Sequence, residues 1–216
     1  MIYFPKTQRE DLQELLDQEE KKANGSYRLE EVIEQMSLDF HRKCYLCEDS
    51  EPTGIQMEHF QLHKGDIALR FSWNNLFFSC SHCNGIKSDG YFPLLDCTQD
   101  ERIWEQVEIA VQRFPKFRLE VKSNPFAGQE KSCENTIKLL RRIFESNTPL
   151  QKRQAENLRR KILRDDVNLI DAISRNDEER VLAMIQASAN FAGMHRRTLC
   201  REYSRLWERV SFSTTE

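Results

Sequence analysis

The sequence predicts an α+β protein, predominantly helical, in which a small irregular core held by a metal sits between helical segments. Three observations carry this. Two Cys-x-x-Cys pairs, Cys44/Cys47 and Cys80/Cys83, bracket the middle of the chain. Between them the helical spacing of apolar residues disappears, and on either side of them it returns. The organisation that follows is an N-terminal helical segment over 1–43, a metal-bound core over 44–96 and a helical C-terminal region over 97–216.

From the N-terminus, Thr7-x-x-Glu10 has the form of a capping box, and Leu12, Leu15 and Leu16 follow it, predicting a helix to about Lys22. Asn24-Gly25-Ser26 ends it. Leu29, Val32, Ile33, Met36 and Phe40 predict a second helix leading into Cys44, with Met36 and Phe40 as core. Ile55 to His59 alternates like a strand, Gly65-Asp66 marks a turn, Leu76-Phe77-Phe78 is a short apolar run, and Ser81 to Ser88 predicts a helix carrying the second cysteine pair.

Beyond residue 96, Thr98-x-x-Glu101 is read as a second capping box for a helix through Ile103, Trp104, Val107, Ala110 and Val111, stopped by Pro115. Phe117, Leu119 and Val121 predict a brief strand. Helices are predicted over Ile137–Phe144, Pro149–Leu163, Val167–Ser174, Glu178–Asn190 and Leu199–Val210.

Composition narrows the function classes. The chain has 216 residues, enough to bury a real core, and no apolar run long enough for a membrane span. The N-terminus lacks the basic and apolar regions of a signal peptide, so the chain reads as soluble and cytoplasmic. In a reducing compartment, paired thiols point to metal rather than disulfides. Four thiolates satisfy tetrahedral Zn²⁺ and leave no open position, so this zinc is structural; redox thiols are the competing reading. Cys97, Cys133 and Cys200 stand alone and read as small buried apolar residues. The net charge of -3 hides a basic stretch of Lys138, Arg141, Arg142, Lys152, Arg153, Arg159, Arg160, Lys161 and Arg164. It is either a phosphate-contacting surface or a solvated helix face.

Between the cysteine pairs lie Glu58-His59, Asn75 before Leu76-Phe77, and Asn84 directly after Cys83, with Lys87 beyond. This order resembles the zinc-containing HNH (ββα-metal) endonucleases. A narrower set, Glu58-His59-Phe60, His63-Lys64-Gly65-Asp66, Trp73-Asn74-Asn75-Leu76-Phe77 and Cys80-Ser81-His82-Cys83-Asn84-x-Ile86-Lys87, is similar to the HNH (PtuB-like) subunit of Septu and retron-associated anti-phage systems. The likeness covers about Cys44 to Lys87. It implies a ββα-metal core with structural zinc, and a bacterial defence nuclease that works with a PtuA-like ATPase partner on DNA or RNA.

The resemblance implies His59 as general base, Asn75 as the residue that pins the loop and orients it, and Glu58 and Asn84 as oxygen ligands of a catalytic Mg²⁺ or Mn²⁺. Lys87 is placed to meet a phosphate. A neutral imidazole suits deprotonation of water near neutral pH, and oxygen donors suit a hard cation. The family often has Asp where Glu58 stands and His where Asn84 stands; both replacements still offer oxygen. His63 is a candidate substrate contact, His82 is read as facing solvent, and Trp73 as core. The C-terminal helices exceed what a nuclease core needs, and are assigned to docking a partner, to self-association or to holding substrate. The alternative class is a zinc-stabilised nucleic-acid-binding or adaptor module without catalysis.

Overall fold

The computed structural model describes residues 1–52, 54–87, 89–112, 115–146 and 148–211. Thr53, within the turn that Pro52-Thr53-Gly54 predicts before the first strand, and Ser88, the end of the helix read from Ser81, lie outside the described residues. The fold is α+β and about 51% helical, with two small antiparallel sheets. No helix among the described residues is long and apolar enough to cross a membrane.

Helix α1 (Glu10–Glu20) buries Leu12 and Leu16, four positions apart on one face. Its start is not the capping box the sequence offered, because a better acceptor takes the cap residue. Thr7 gives its hydroxyl (2.8 Å) and amide (3.0 Å) to the Asp39 carboxylate, and no side chain caps the helix. Asp39 ends α2 (Glu30–Asp39), whose Val32 and Met36 are fully buried with Phe40 just beyond it. One contact thus closes the first helical pair and delivers the chain to Cys44.

The central unit is two strands and a helix. Strand β1 (Ile55–His59) pairs antiparallel with β2 (Leu76–Cys80), Glu58 opposite Phe77 and His59 opposite Leu76. Between them run a short helix α3 (Ile67–Arg70), started by the Asp66 side chain accepting from the Leu69 amide (3.0 Å), and a tight turn over Trp73–Asn75. Every residue of β2 is buried, and the chain at Tyr45 donates its amide to Phe78 O (3.0 Å), so the Cys44–Cys47 turn covers that strand's free edge. Helix α4 (Ser81–Ile86) follows β2 directly.

The C-terminal region departs from the sequence reading. Only Ile103–Gln106 (α5) is helical there; Val107–Gln112 (β3) is a strand, paired with β4 (Arg118–Ser123) through Ile109 opposite Val121. Val107, Ile109 and Val111 repeat with period two, and β-branched side chains that pair with Leu119 and Val121 favour the pleated surface over the helix. The second capping box also fails, since Thr98 turns back onto Asp96 (2.7 Å). The remainder is helical: α6 (Glu130–Glu145), α7 (Lys152–Ser174), α8 (Glu178–Ile185), α9 (Ala192–Glu202) and α10 (Ser204–Ser211). Two predicted helices merge into α7, and the last predicted one divides at Tyr203.

Apolar side chains from Met1 through Ile162, with Phe191, Ala192 and Met194, form one continuous core. A second, smaller cluster gathers Leu169, Ala172, Val181, Ile185, Leu199 and Val210. The boundary between the two falls within α7.

Candidate functional site

Cys44 and Cys47 lie in the turn after α2, while Cys80 ends β2 and Cys83 lies in α4. All four are buried, and their sulfurs lie within 4.8 Å of one another, with Cys47 Sγ and Cys80 Sγ 4.0 Å apart. Local hydrogen bonds set this geometry: Glu48 N donates to Cys44 O (2.8 Å), and Cys83 N donates to Cys80 Sγ (3.4 Å), making Cys80 the cap of α4. Four thiols this close cannot ionise independently. Burial pushes Cys44 up, but hydrogen bonds from the other three hold it well below its ordinary value. Cys47 is driven well up, first by its bond with Cys44, and Cys83 well up, first by burial. A shared cation relieves that conflict, and the cluster can hold a structural metal ion.

The cluster is tied to its surroundings on two sides. The Lys161 ammonium of α7 meets both Asp49 oxygens (2.9 and 2.8 Å) and Glu51 O (2.8 Å). His82, read as solvent-facing, is instead only 9% exposed, and its Nε2 donates to Ile143 O (2.9 Å) on α6. The correction has a simple cause: α6 packs over α4, so the side between the two cysteines is an interior one. Cys97 and Cys133 are buried as expected, and Cys200 is partly exposed. Trp73 is core, its indole donating to Thr7 O (3.1 Å).

Alternation along β1 sends successive side chains to opposite faces. Gln56 and Glu58 share the face toward α4. Asn84 Nδ2 donates there to Gln56 Oε1 (3.0 Å), and Lys87 Nζ lies 3.3 Å from Glu58 Oε1. Lys87 also donates to His59 O (2.7 Å), so its ammonium turns inward. Glu58 is 6% exposed, and both its Oε1 and the Tyr45 hydroxyl are buried without a hydrogen-bond partner. Burial raises the Glu58 carboxyl and the Lys87 charge opposes it; burial, then the Glu58 charge, raises the Tyr45 phenol well above its ordinary value.

The His59 ring occupies the other face. Its Nε2 lies 2.9 Å from Arg70 O, and a carbonyl only accepts, so Nε2 carries the proton and the neutral ring keeps a lone pair on Nδ1. Tyr27 packs edge-on against the ring at 4.7 Å and His63 at 4.9 Å. Burial first, with the nearby His63, Lys87 and Arg70 charges, lowers its pKa despite the Arg70 bond. Asn75 staples the loop beside it: Oδ1 accepts from Gln61 N (2.8 Å), and Nδ2 donates to Gln61 O (2.9 Å) and Leu69 O (3.0 Å). Residue 70, the partner of His59, follows at once.

The structure thus brings Glu58, Lys87 and the His59 backbone together, and Asn84 against Gln56. No hydrogen bond or ion pair among the described residues joins the His59 ring to Glu58 or Asn84. Sequence reasoning missed Tyr27, Gln56 and Arg70. None carries a local signal, since each reaches the site only through tertiary packing. The basic stretch is divided too. Lys138 pairs with Glu134 (2.6 Å), Arg141 bonds Val121 O (2.7 Å), Arg159 bonds Phe144 O, and Lys161 holds Asp49. Arg142, Lys152, Arg153 and Arg160 remain on the exposed surface.

No protein-family model matches the chain, and no curated protein matches it.

Proposed function

We propose that this chain is a zinc-stapled, metal-dependent endonuclease of the HNH type, hydrolysing phosphodiester bonds with His59 as general base. The single observation that supports it most is the tautomer of His59. With Nε2–H committed to Arg70 O, the unprotonated Nδ1 is the acceptor that a water-activating base needs, and the lowered pKa keeps it neutral at pH 7. The ring stands at the end of the first strand of a strand–strand–helix unit that the four cysteines clamp.

Zinc is the ion proposed for the cysteine cluster. Zn–S bonds of about 2.3 Å imply tetrahedral S–S edges of about 3.8 Å, close to the spacing found here. The donors proposed for a catalytic Mg²⁺ or Mn²⁺ are Glu58, whose buried Oε1 lacks a hydrogen bond, and the Asn84 side-chain oxygen. Such an ion, when bound, supplies Lewis acidity and neutralises charge on the phosphate and leaving oxygen. The chain's own residues do the rest: His59 Nδ1 takes the proton from water, Arg70 O holds the imidazolium that forms, and Asn75 fixes the loop that carries both neighbours.

One observation favours a second reading. The Lys87 ammonium already sits at Glu58, and an internal cation there serves a non-catalytic zinc-stabilised nucleic-acid-binding or adaptor module equally well. The wider proposal retains DNA or RNA as substrate, an ATPase partner in an anti-phage defence system, and the C-terminal helices as the docking or self-association surface.

The test is cleavage of DNA and RNA panels with Mg²⁺ or Mn²⁺, in the presence of the ATPase partner. His59→Ala is expected to lower the rate about 10²–10⁴-fold with zinc content and melting temperature unchanged. Equal cleavage by the variant removes the base, and no cleavage by the assembled wild type favours the binding module.

A further inference from the structure

Beside the Glu58–Lys87 pair lies a cleft that the proposed hydrolysis does not use. It has a volume of about 140 Å³ and is lined by Phe60, Gln61, Leu62, Lys64, Lys87, Phe92 and Leu94. Phe60 forms its floor, stacked on Phe77 (4.7 Å, 21° between planes), so the ring is held rigidly from behind. Phe92 stands edge-on to Phe60 at 6.2 Å and is 43% exposed, the one exposed phenylalanine among the described residues. Leu62 beside it is 40% exposed.

Phe92 and Leu62 together give the cleft an apolar lip that a ligand can cover. The rest of the lining indicates what does. The Gln61 backbone is pinned by Asn75 on both its N–H and its carbonyl, while its side-chain amide makes no hydrogen bond among the described residues. That leaves a donor and an acceptor on a fixed stalk at the cleft's edge. Lys64 supplies positive charge on the exposed rim, and the Lys87 ammonium lies 5.8 Å from the Phe60 ring. Two aromatic rings, an amide and ammonium groups are what a planar, hydrogen-bonding, phosphate-linked ring requires. The cleft has room for one ring system, not for a stacked pair within a duplex.

We propose that this cleft is a stacking subsite for a single unpaired nucleobase, and that the chain therefore selects single-stranded or locally unpaired nucleic acid. The inference rests on the nuclease reading for the identity of the polymer. It adds the strand state, which that reading leaves open. The base inserts against Phe92 and Phe60, and Gln61 meets its edge. The subsite adjoins Lys87, which bonds the His59 carbonyl, so a base held there anchors the strand at the end of β1.

The experiment measures binding rather than cleavage. The full-length chain is titrated in Mg²⁺-free buffer with labelled single strands of DNA and RNA, and with a blunt duplex of equal length. A strand carrying one 2-aminopurine reports stacking through loss of its fluorescence. Wild type is expected to bind single strands more tightly than duplex and to quench the probe. Phe92→Ala, on an exposed side chain, is expected to weaken single-strand binding about tenfold or more and abolish quenching, and Phe92→Trp to restore both. Equal affinities of wild type and Phe92→Ala, an unquenched probe, a preference for duplex, or no single-strand binding each overturns the subsite. Quenching by a protein that never cleaves keeps the subsite and removes the nuclease reading; cleavage indifferent to Phe92 does the reverse.

Discussion

The cysteine cluster and the β1 face beside it are neighbours built on opposite principles. In the cluster four identical ligands point at one another, perturb one another's ionisation and have only weak sulfur contacts, such as Cys83 N to Cys80 Sγ and Ser79 Oγ to Cys44 Sγ. Along β1 the side chains have largely found protein partners, Glu58 with Lys87, Asn84 with Gln56, and His59 with Arg70, while Glu58 Oε1 keeps no hydrogen bond. The first arrangement can hold an ion. At the second, an ion or substrate must compete with the partners already there. The two places are therefore told apart by how much of their bonding the chain itself completes.

The largest effect expected from this contrast is loss of fold when the cluster is emptied. A structural zinc site contributes an apparent ~10–16 kcal/mol to folding at neutral pH. Cys80→Ser, or a strong chelator, is expected to abolish cooperative melting, followed by circular dichroism, with elemental analysis giving one zinc per wild-type chain. Because Lys161 straps α7 to Asp49 beside the cluster, protection from hydrogen exchange should fall in α7 as well as in the hairpin. A chain that melts unchanged without metal would show that hydrophobic packing alone holds the hairpin and helix.

The same contrast governs what could be read in advance. Cysteine spacing is local, so the cluster was legible, as were β1 and the helix carrying the second cysteine pair, while β2 was legible only as a short apolar run. The stretch from Ile103 to Val111 carried two periods at once. Ile103, Trp104, Val107, Ala110 and Val111 fit a helix, while Val107, Ile109 and Val111 fit a strand; pairing with Leu119 and Val121 decides between them. Thr7 fits a cap until Asp39, far along the chain, takes its hydroxyl. The candidate site was legible as residue types and order, not as contacts. That Lys87 turns inward onto Glu58, or that Tyr27 closes over His59, is fixed by how α4 and the first loop pack, and no pattern around those residues reports it.

Removing Lys87 is the next largest perturbation and probes the strand face directly. Lys87→Met leaves the Glu58 charge buried and unpaired, which costs about 3–5 kcal/mol in melting experiments. The double variant Glu58→Gln, Lys87→Met carries no such charge and is expected to lose much less. Mg²⁺ or Mn²⁺ should then raise the melting temperature of the single variant and not of the double one, if Glu58 accepts a divalent ion when the ammonium is gone. If the single variant is no less stable than the double, the carboxylate does not depend on a cation, and the face has no preference for an ion. That outcome would leave the cysteine cluster as the candidate metal site among the described residues.

The smallest effect is a pH limb, and it follows from the surroundings of His59. Burial is the main cause of its lowered pKa, and the His63 charge is the next cause acting in that direction. A base works unprotonated, so cleavage should rise with pH, pass its half-maximum below 6.5, the ordinary histidine value, and be level at neutrality. His63→Asn removes a like-charged neighbour and keeps a polar side chain of similar size. The imidazolium of His59 then loses one repulsion, its pKa rises, and the acid limb must move to higher pH. A move to lower pH, or a limb above 6.5 in the wild type, would mean that the group being titrated is not this imidazole. An unchanged limb would mean that the His63 charge is not felt at His59, leaving burial as the cause of its low pKa.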